Sequence, residues 1–545
     1  MSSPFSLKLI GSVGISALRA IAGSIGPVDC MRPGGAGRAG YPYRLVLAAM
    51  LGIGGCQSSQ VVMNQPLPLD AAGRPDYARN YGVGSFAEDQ MEEGSELLTF
   101  LAFSGGGKRS AAFAHGVLRG LQQVPVQGLG GAEGRSLLED VDYIAAVSGG
   151  SFPAAHYGLY RGRSFETFPE EFLYRDIESH IYGMFLLPWN WEWLVNPLYG
   201  TNDYMAEVYD RLMFHGATYA DLARRGPPLI SINATDIANG VTFAFLGGTF
   251  SLLCSDITSF PIARAVAASN GFPVLFTPIT LRSYAERCAG TRPRFAPPPQ
   301  SMEPHSETSR RAQLARLAQR LSDPERTHWV HLMDGGIADN LALRGLLNIL
   351  LALDDRDVLF RAVALRTRRI LVVSADGQAA ADPTLGQQRV VTGLKQIFSA
   401  VSGTQIDAYN FETLALARAQ VESLAGRFRA IRCATAPVIR GRPCGDVRAA
   451  LVHVSLSGID DPETRARLQA IPTGLTIPRE DVDLLVGYGE RLVREHQVIR
   501  AMATDVVVPG PNAGGTTSEA RRAAATLRRN AASRYGSAGP SATAR

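Results

Sequence analysis

The sequence predicts an α/β fold of three layers, α/β/α, with a mainly parallel central sheet. Three observations point there. Strand-like apolar runs recur along the chain, helix-like segments separate them, and the first two runs each end in a glycine cluster that opens a helix. Strands alternating with helices build parallel sheets covered on both faces. Of the 545 residues, 46% are hydrophobic and 19% charged, a balance that excludes a wholly disordered chain.

In chain order, residues 1–55 stand apart from this pattern and read as a signal region. From Met31, a segment carrying Arg32, Arg38 and Arg44 runs into the apolar stretch 45–55, a charged region followed by a short hydrophobic one. Residues 1–30 hold a second apolar segment, an upstream extension if Met31 is the start. The run Ile53-Gly54-Gly55-Cys56 resembles a bacterial lipoprotein box, which implies removal of 1–55 and acylation of Cys56; a buried helix, or a simple cleaved signal with an incidental Cys, is the alternative. Acyl chains there would hold the protein at a membrane surface. Gln57-Ser58-Ser59-Gln60 follows, with no Asp beside the Cys, which by resemblance to lipoprotein sorting leans towards the outer membrane of the cell envelope; a periplasmic or secreted location is the alternative. Residues 56–94 read as a tether.

The folded body is expected over 95–500. Residues 97–103 and 141–147 read as strands, 110–121 as the helix after the first, and 228–234, 329–333, 370–374 and 451–455 as further β-type runs. A helix is expected from Arg479, and 505–545, rich in Ala, Gly, Ser, Thr and Arg, reads as a disordered basic tail. The formal net charge of +4 belongs to the ends: 1–55 and 505–545 each carry +4, leaving −4 on 56–504. A body of that sign gives no reason to expect nucleic acid as a partner. No run of about 20 uninterrupted apolar residues marks a membrane-spanning helix. After Cys56 come Cys254, Cys288, Cys433 and Cys444, an even number that permits disulfides outside the cytosol; Cys433 with Cys444 is the natural local pair, and the connectivity stays open.

Three motifs carry candidate chemistry, each at the end of a predicted strand. In Ala145-Ala146-Val147-Ser148-Gly149-Gly150-Ser151 a serine stands at a sharp strand-to-helix turn, where small neighbours allow the turn and leave the hydroxyl at the strand's C-terminal end. Ala146 replaces the first glycine of the usual nucleophile elbow. In Ser104-Gly105-Gly106-Gly107-Lys108-Arg109-Ser110, consecutive glycines open a helix and expose backbone N–H groups suited to a phosphate or to the oxyanion of a tetrahedral intermediate. The phosphate readings fail on detail: a P-loop needs Gly at Ala102 and Ser or Thr at Arg109, and a dinucleotide fingerprint needs Gly or Ala at Ser110. The other lysines are Lys8 and Lys395, so Lys108 stands out from an arginine-rich background, although a solvated turn residue is its plain reading. In the third motif, His331 to Asn340, Asp334 ends a β run and Gly335-Gly336 follow; an Asp-Gly turn is the alternative. His328 and His331 lie three apart near Asp334, but on a strand that spacing points them to opposite faces, so no metal or other cofactor is expected.

Together these motifs resemble the patatin-like phospholipase family. The resemblance rests on Phe103-Ser-Gly-Gly-Gly-Lys-Arg109 as the oxyanion motif, Val147-Ser148-Gly-Gly-Ser151 as the nucleophile motif, and Asp334-Gly-Gly336 with Asp339-Asn340 as the acid motif. Asn233-Ala-Thr-Asp236, the run from Ala265 to Pro273, and Ile471-Pro-Thr473 resemble connecting segments of the same family. The match is tightest over 99–346, with 347–500 as a C-terminal extension. It departs from plant members at Ser104 and Ser110, and the Ser148-Gly-Gly-Ser151 variant resembles bacterial and cytosolic phospholipase A2 branches.

The resemblance implies a lipid acyl hydrolase of phospholipase A type. Ser148 would be the nucleophile and Asp334 the general base and acid, with the oxyanion held by Gly105, Gly106 and Gly107, while Arg109 would reinforce that charge or bind a lipid phosphate. Gly149, Gly150, Gly335 and Gly336 would shape the turns. The expected substrate is a phospholipid or other acyl-ester lipid, met at a membrane surface. Two alternatives stay open: an esterase with a Ser-Asp-His triad using His453 or His496, and a non-catalytic lipid- or partner-binding lipoprotein. The aromatic crowding from Ile181 to Trp193, followed by Tyr199, fits an apolar cap over an acyl pocket, an interfacial contact, or plain core packing.

Overall fold

The computed structural model describes residues 63–77, 81–82, 95–127, 134–187, 196–273, 275–289, 310–352, 357–379 and 394–505, with a few isolated positions between them. Strands β1 (Leu97–Phe103), β2 (Val141–Val147), β3 (Leu229–Asp236), β4 (Val241–Ala244), β5 (Ile279–Arg282), β6 (Trp329–Met333), β7 (Arg369–Asp376) and β8 (Arg448–Ser455) form one eight-stranded sheet, ordered β8-β7-β1-β2-β3-β6-β5, with β4 also paired to β3. β8, β7, β1, β2 and β3 are mutually parallel, whereas β4 and β6 run antiparallel to β3 and β5 antiparallel to β6. Every residue of β1, β2, β3 and β7 is buried, which is why these strands carry apolar residues on both faces.

The helices that matter here are α1 (Gly107–Gln122), α2 (Ser151–Tyr160), α3 (Glu178–Leu186), α4 (Thr201–Tyr209), α5 (Ile262–Ser269), α6 (Leu343–Ala352), α7 (Leu394–Thr435), α8 (Arg479–Arg494) and α9 (Gln497–Thr504). From β1 to β2 to β3 the chain steps one way across the sheet, and from β7 to β8 it steps the other way. Right-handed crossovers then put α1 and α2 on one face and α7 on the opposite face, which gives the three layers. α7 buries Ala417, Val421, Leu424, Phe428 and Ile431, spaced three or four apart along one stripe, and stops just before Pro437. α8 presses on α1 at glycines. A Cβ on Gly116 would stand 2.1 Å from the Val486 carbonyl oxygen, and one on Gly489 would stand 2.4 Å from that of Phe113.

The structure alters several expectations at the edges of the body. Residues 63–77 are no free tether: Gln65–Pro66 pairs with Ser255–Asp256, Leu67 is 1% exposed, and Asn64 hydrogen-bonds Ser255 Oγ and the Arg282 backbone. Asp505, the expected first residue of the tail, is docked, with its carboxylate 2.7 Å from Arg368 and also bonded to Arg448. The short strands β4 and β5 and the 42-residue α7 were not anticipated. Cys433 pairs with Cys444 as the local spacing suggested, and Cys254 pairs with Cys288. Core packing does not describe the aromatic segment: Met184 and Tyr199 are buried, but Tyr182, Phe185, Leu186, Trp191 and Leu198 are exposed. Cys56, the 1–55 region, residues 83–94 and the 506–545 tail lie outside the described residues, as do Trp189 and 192–195. Among the described residues no helix is long and apolar enough to cross a membrane, and no group of three or more His, Cys, Asp or Glu is arranged to hold a metal ion.

Candidate active site

β2 ends at Val147, and Ser148 turns the chain through a left-handed conformation, φ 48°, before the helical turn Ser148–Gly150 leads into α2. A non-glycine residue held there carries backbone strain, a recurring property of functional turns. The turn is pinned from below: the Ser148 N–H donates to Ser269 Oγ at 2.8 Å, and the Ser269 hydroxyl donates to the Asn233 carbonyl at 2.6 Å. Gly149 is required by proximity, since a Cβ on it would stand 2.0 Å from the Gly107 carbonyl oxygen. Ala146, the departure from the usual elbow, is an ordinary strand residue paired with Phe103 and Ile232, so no glycine is needed there.

Asp334 reaches the same spot by an unexpected route. Thr235 and Asp236 pair with both β4 and β6, so those two strands occupy opposite edges of β3; Asn233 pairs with both β2 and β4, so β2 lies on the β6 edge. β2 thus uses that edge of β3 as far as Asn233, and β6 takes over from Thr235, running the other way. The chain leaving Met333 is therefore aimed head-on at the end of β2. Sequence reasoning put the carboxylate at the end of another strand of a parallel sheet; the correction is that β6 is antiparallel and delivers Asp334 from the far side. Its backbone is clamped by Asp334 N–H to the Gly271 carbonyl, Gly335 N–H to the Ser269 carbonyl, and Thr235 Oγ1 to the Asp334 carbonyl.

The resulting pair is close. Ser148 Oγ donates to Asp334 Oδ2 at 2.9 Å, and Gly336 N–H donates to Asp334 Oδ1 at 2.8 Å. Both side chains are nearly sealed, Ser148 at 5% and Asp334 at 8% exposure. Burial raises the Asp334 pKa to about 6, against the opposing pull of the Gly336 and Ser148 hydrogen bonds. That brings an ordinarily weak base closer to neutral pH while leaving it ionised there.

The glycine loop lies against the serine: a Cβ on Gly105 would stand 3.3 Å from the Ser148 Cβ and 2.5 Å from Asn340 Oδ1. Gly106 and Gly107 have φ of 134° and 61°, and Gly107 starts α1. The N–H of Gly105 is spent on the Asn340 carbonyl at 2.9 Å, and that of Lys108 on the Gly474 carbonyl at 2.8 Å. Between them, the N–H groups of Gly106 and Gly107 meet no acceptor among the described residues and stand at the positive end of the α1 dipole. The expected trio of donors therefore narrows to Gly106 and Gly107.

Arg109 corrects the sequence reading. Its guanidinium donates to the Gly377 carbonyl at 2.6 Å and to the Ile471 carbonyl, and the side chain is 1% exposed, so it ties the loop to the C-terminal extension in place of facing an oxyanion. Lys108 is not a solvated turn residue either: it is fully buried, donates to the Arg175 carbonyl, and sits 5.1 Å from the Phe172 ring centre, where burial lowers its pKa to about 8. Neither candidate triad histidine approaches Ser148. His453 is on β8, three strands from β2 in the sheet order and so about 14 Å away at about 4.8 Å per strand. α8 runs beside α1 from Lys108 and Gly474 down to Gln123 and Glu490, and His496 follows it at the end remote from the loop.

A family model described as patatin-like phospholipase matches residues 101–347, from inside β1, across the glycine loop, Ser148 and Asp334, into α6. Residues 101–347 are a patatin-like phospholipase domain. No curated protein matches the chain. The patatin-like family is one of lipid acyl hydrolases, and the mixed, mostly parallel sheet between helical layers is the fold the sequence led to expect. Several neighbours of the patatin-like site had no individual role in the sequence reading: Ser269 under the elbow, Asn270 and Tyr209 beside the hydroxyl, and Ile471 with Gly474 over the loop; Asn340, part of the acid motif, also lies under the loop. The segments around Asn233, Ala265–Pro273 and Ile471 were visible as family-like runs, but nothing in their spacing revealed which side chain would turn toward Ser148.

Proposed function

We propose that the protein is a phospholipase A-like lipid acyl hydrolase that cleaves carboxylic esters with a Ser148–Asp334 dyad. The observation that carries this is the 2.9 Å hydrogen bond from Ser148 Oγ to a buried carboxylate whose pKa is raised to about 6. Ser148 Oγ attacks the ester carbonyl carbon while its proton passes to Asp334; the C–O bond breaks and Asp334 returns that proton to the leaving alcohol. Water then attacks the acyl-serine, gives a proton to Asp334, and Ser148 Oγ departs and regains it. The N–H groups of Gly106 and Gly107 receive the oxyanion in both halves, aided by the α1 dipole.

A triad is disfavoured by the remote positions of His453 and His496. A purely binding role is disfavoured because a strained Ser148 and a buried, paired Asp334 are costly features that ligand binding alone does not require. The exposed apolar side chains of Tyr182, Leu186 and Leu198 suit contact with a lipid surface. In this reading the hydrolase body spans 95–500, and Cys56 is acylated and anchors it in the cell envelope; the Cys254–Cys288 and Cys433–Cys444 bonds support an oxidising compartment. The test is mass-spectrometric product analysis on defined phospholipids, with Ser148→Ala beside the wild type. Fatty-acid release by wild type alone is expected; equal release by both would overturn the assignment.

A further inference from the structure

Beside the Ser148–Asp334 pair sits a third polar side chain. Asn270 caps the C-terminus of α5, its N–H bonded to the Val266 carbonyl at 3.0 Å, and it is 6% exposed. The residues on either side, Ser269 and Gly271, accept the backbone N–H groups of Gly335 and Asp334, so Asn270 is held in register with the carboxylate. Its amide lies between Ser148 and Tyr209: Oδ1 is 3.2 Å from Ser148 Oγ, and Nδ2 is 3.2 Å from the Tyr209 hydroxyl. Tyr209 is 1% exposed and packs edge-on against Phe152, with 4.9 Å between ring centres.

Proton counting decides how this chain of groups is oriented. Ser148 has one hydroxyl proton, and its nearest acceptor is Asp334 Oδ2 at 2.9 Å. With that proton committed, Asn270 Oδ1 and Ser148 Oγ would face each other as two acceptors, and the Tyr209 proton would have no acceptor among the described residues. Turning the Asn270 amide by a half-rotation about its last bond exchanges oxygen and nitrogen at nearly the same positions. Every group is then matched: Tyr209 O–H donates to Asn270 Oδ1, Asn270 Nδ2–H donates to Ser148 Oγ, and Ser148 O–H donates to Asp334.

We infer that Asn270 is a further catalytic residue of the proposed hydrolysis, donating a hydrogen bond to the nucleophilic oxygen, and that Tyr209 is the positioning residue that fixes its amide. This rests on the Ser148–Asp334 reading above and extends it. An sp³ oxygen bonded to Cβ and to its proton has two lone pairs. Asn270 occupies one and leaves the other as the attacking pair, which fixes the direction of attack. In the second half-reaction Ser148 Oγ is the leaving group, and the same N–H stabilises the charge it gathers as the acyl C–O bond breaks, before Asp334 returns the proton.

The experiment compares wild type, Ser148→Ala, Asn270→Asp and Tyr209→Phe on a short-chain p-nitrophenyl ester. Rates for the Ser148-bearing enzymes are expressed per serine titratable with a phosphonate probe, so that misfolded protein does not count. Asn270→Asp keeps the shape, replaces the donor by an acceptor and sets a second carboxylate near Asp334; kcat is expected to fall about 100-fold and the acidic limb of its pH profile to move upward. Tyr209→Phe removes only the oxygen that orients the amide, and kcat is expected to fall about tenfold at unchanged KM. If Asn270→Asp does not fold, Tyr209→Phe decides alone. Wild-type kcat in either folded variant overturns the inference. Hydrolysis by Ser148→Ala equal to wild type would instead mean that the dyad reading itself has failed.

Discussion

Replacing Asp334 by Asn should abolish hydrolysis and at the same time make the protein more stable at neutral pH. Asn has the size of Asp, can still accept the Gly336 N–H at Oδ1, and carries no charge. Burial lifts the Asp334 pKa from its ordinary 3.8 to about 6, a difference of about two pH units. At about 1.4 kcal/mol per unit, ionising Asp334 in the fold costs about 3 kcal/mol relative to the unfolded chain. The sign follows from proton binding: because the folded pKa is the higher one, the stability of the protonated form is complete below 3.8 and is lost as pH rises through about 6. Above that the penalty is constant. Asp339, also near 6, and Asp142, near 8, add pH dependence of the same sign, so the informative quantity is wild type minus variant. Denaturant unfolding of both proteins at pH 4, 6 and 8 measures it. The expected gap is small at pH 4 and grows to about 3 kcal/mol in favour of Asp334→Asn at pH 8, while ester hydrolysis by the variant vanishes. A variant less stable than wild type at pH 8, or one retaining a tenth of the activity, would refute the reasoning.

Other substitutions test other parts of the site. Gly149→Ala must push the Gly107 carbonyl aside, since the new Cβ would lie 2.0 Å from that oxygen; a shift of about 1 Å in the glycine loop should cost about 100-fold in kcat, read from ester hydrolysis. His453→Ala and His496→Ala should leave hydrolysis within about threefold of wild type, whereas loss of a triad histidine would lower it by about 10⁴ or more. Replacing both Cys254 and Cys288 by Ser opens a closure of 34 residues and should destabilise the fold by about 4 kcal/mol on loop entropy; the 11-residue closure of Cys433 and Cys444 should be worth about 3 kcal/mol, both measurable by thermal unfolding.

What was readable in the sequence follows from how each element is buried. β1, β2, β3 and β7 are covered on both faces, so they stand out as stretches with apolar residues on both faces. β4 and β5 are four residues each and half-exposed, so they leave no such trace. α7 escaped because its buried stripe is narrow and set among arginines and glutamates. Ser148 and Asp334 were identifiable because each ends a strand. Asn270 was not, because its position depends on β2 and β6 sharing one edge of β3, a pairing between segments more than 180 residues apart. Arg109 was misread for the same reason: its acceptors, Gly377 and Ile471, lie about 270 and 360 residues further on.

The order in which the chain is made and the order in which it can be finished run in opposite directions. The glycine loop leaves the ribosome first, before Ser148, yet its supports come last. Ser104 N–H waits for the Ala375 carbonyl, Arg109 for Gly377 and Ile471, and Lys108 N–H for Gly474. Until β7 has been made, β1 has an open edge on the side away from β2, and until the connection that leads into α8 is in place Lys108 N–H and the Arg109 guanidinium lack their acceptors on Gly474 and Ile471. A chain shorn of its last hundred residues would keep every residue of the nucleophile and acid motifs and still lack the Ile471 and Gly474 carbonyls that hold Arg109 and Lys108. The glycine loop therefore gains its last supports only when the chain has been made as far as Gly474, more than 360 residues after the loop itself.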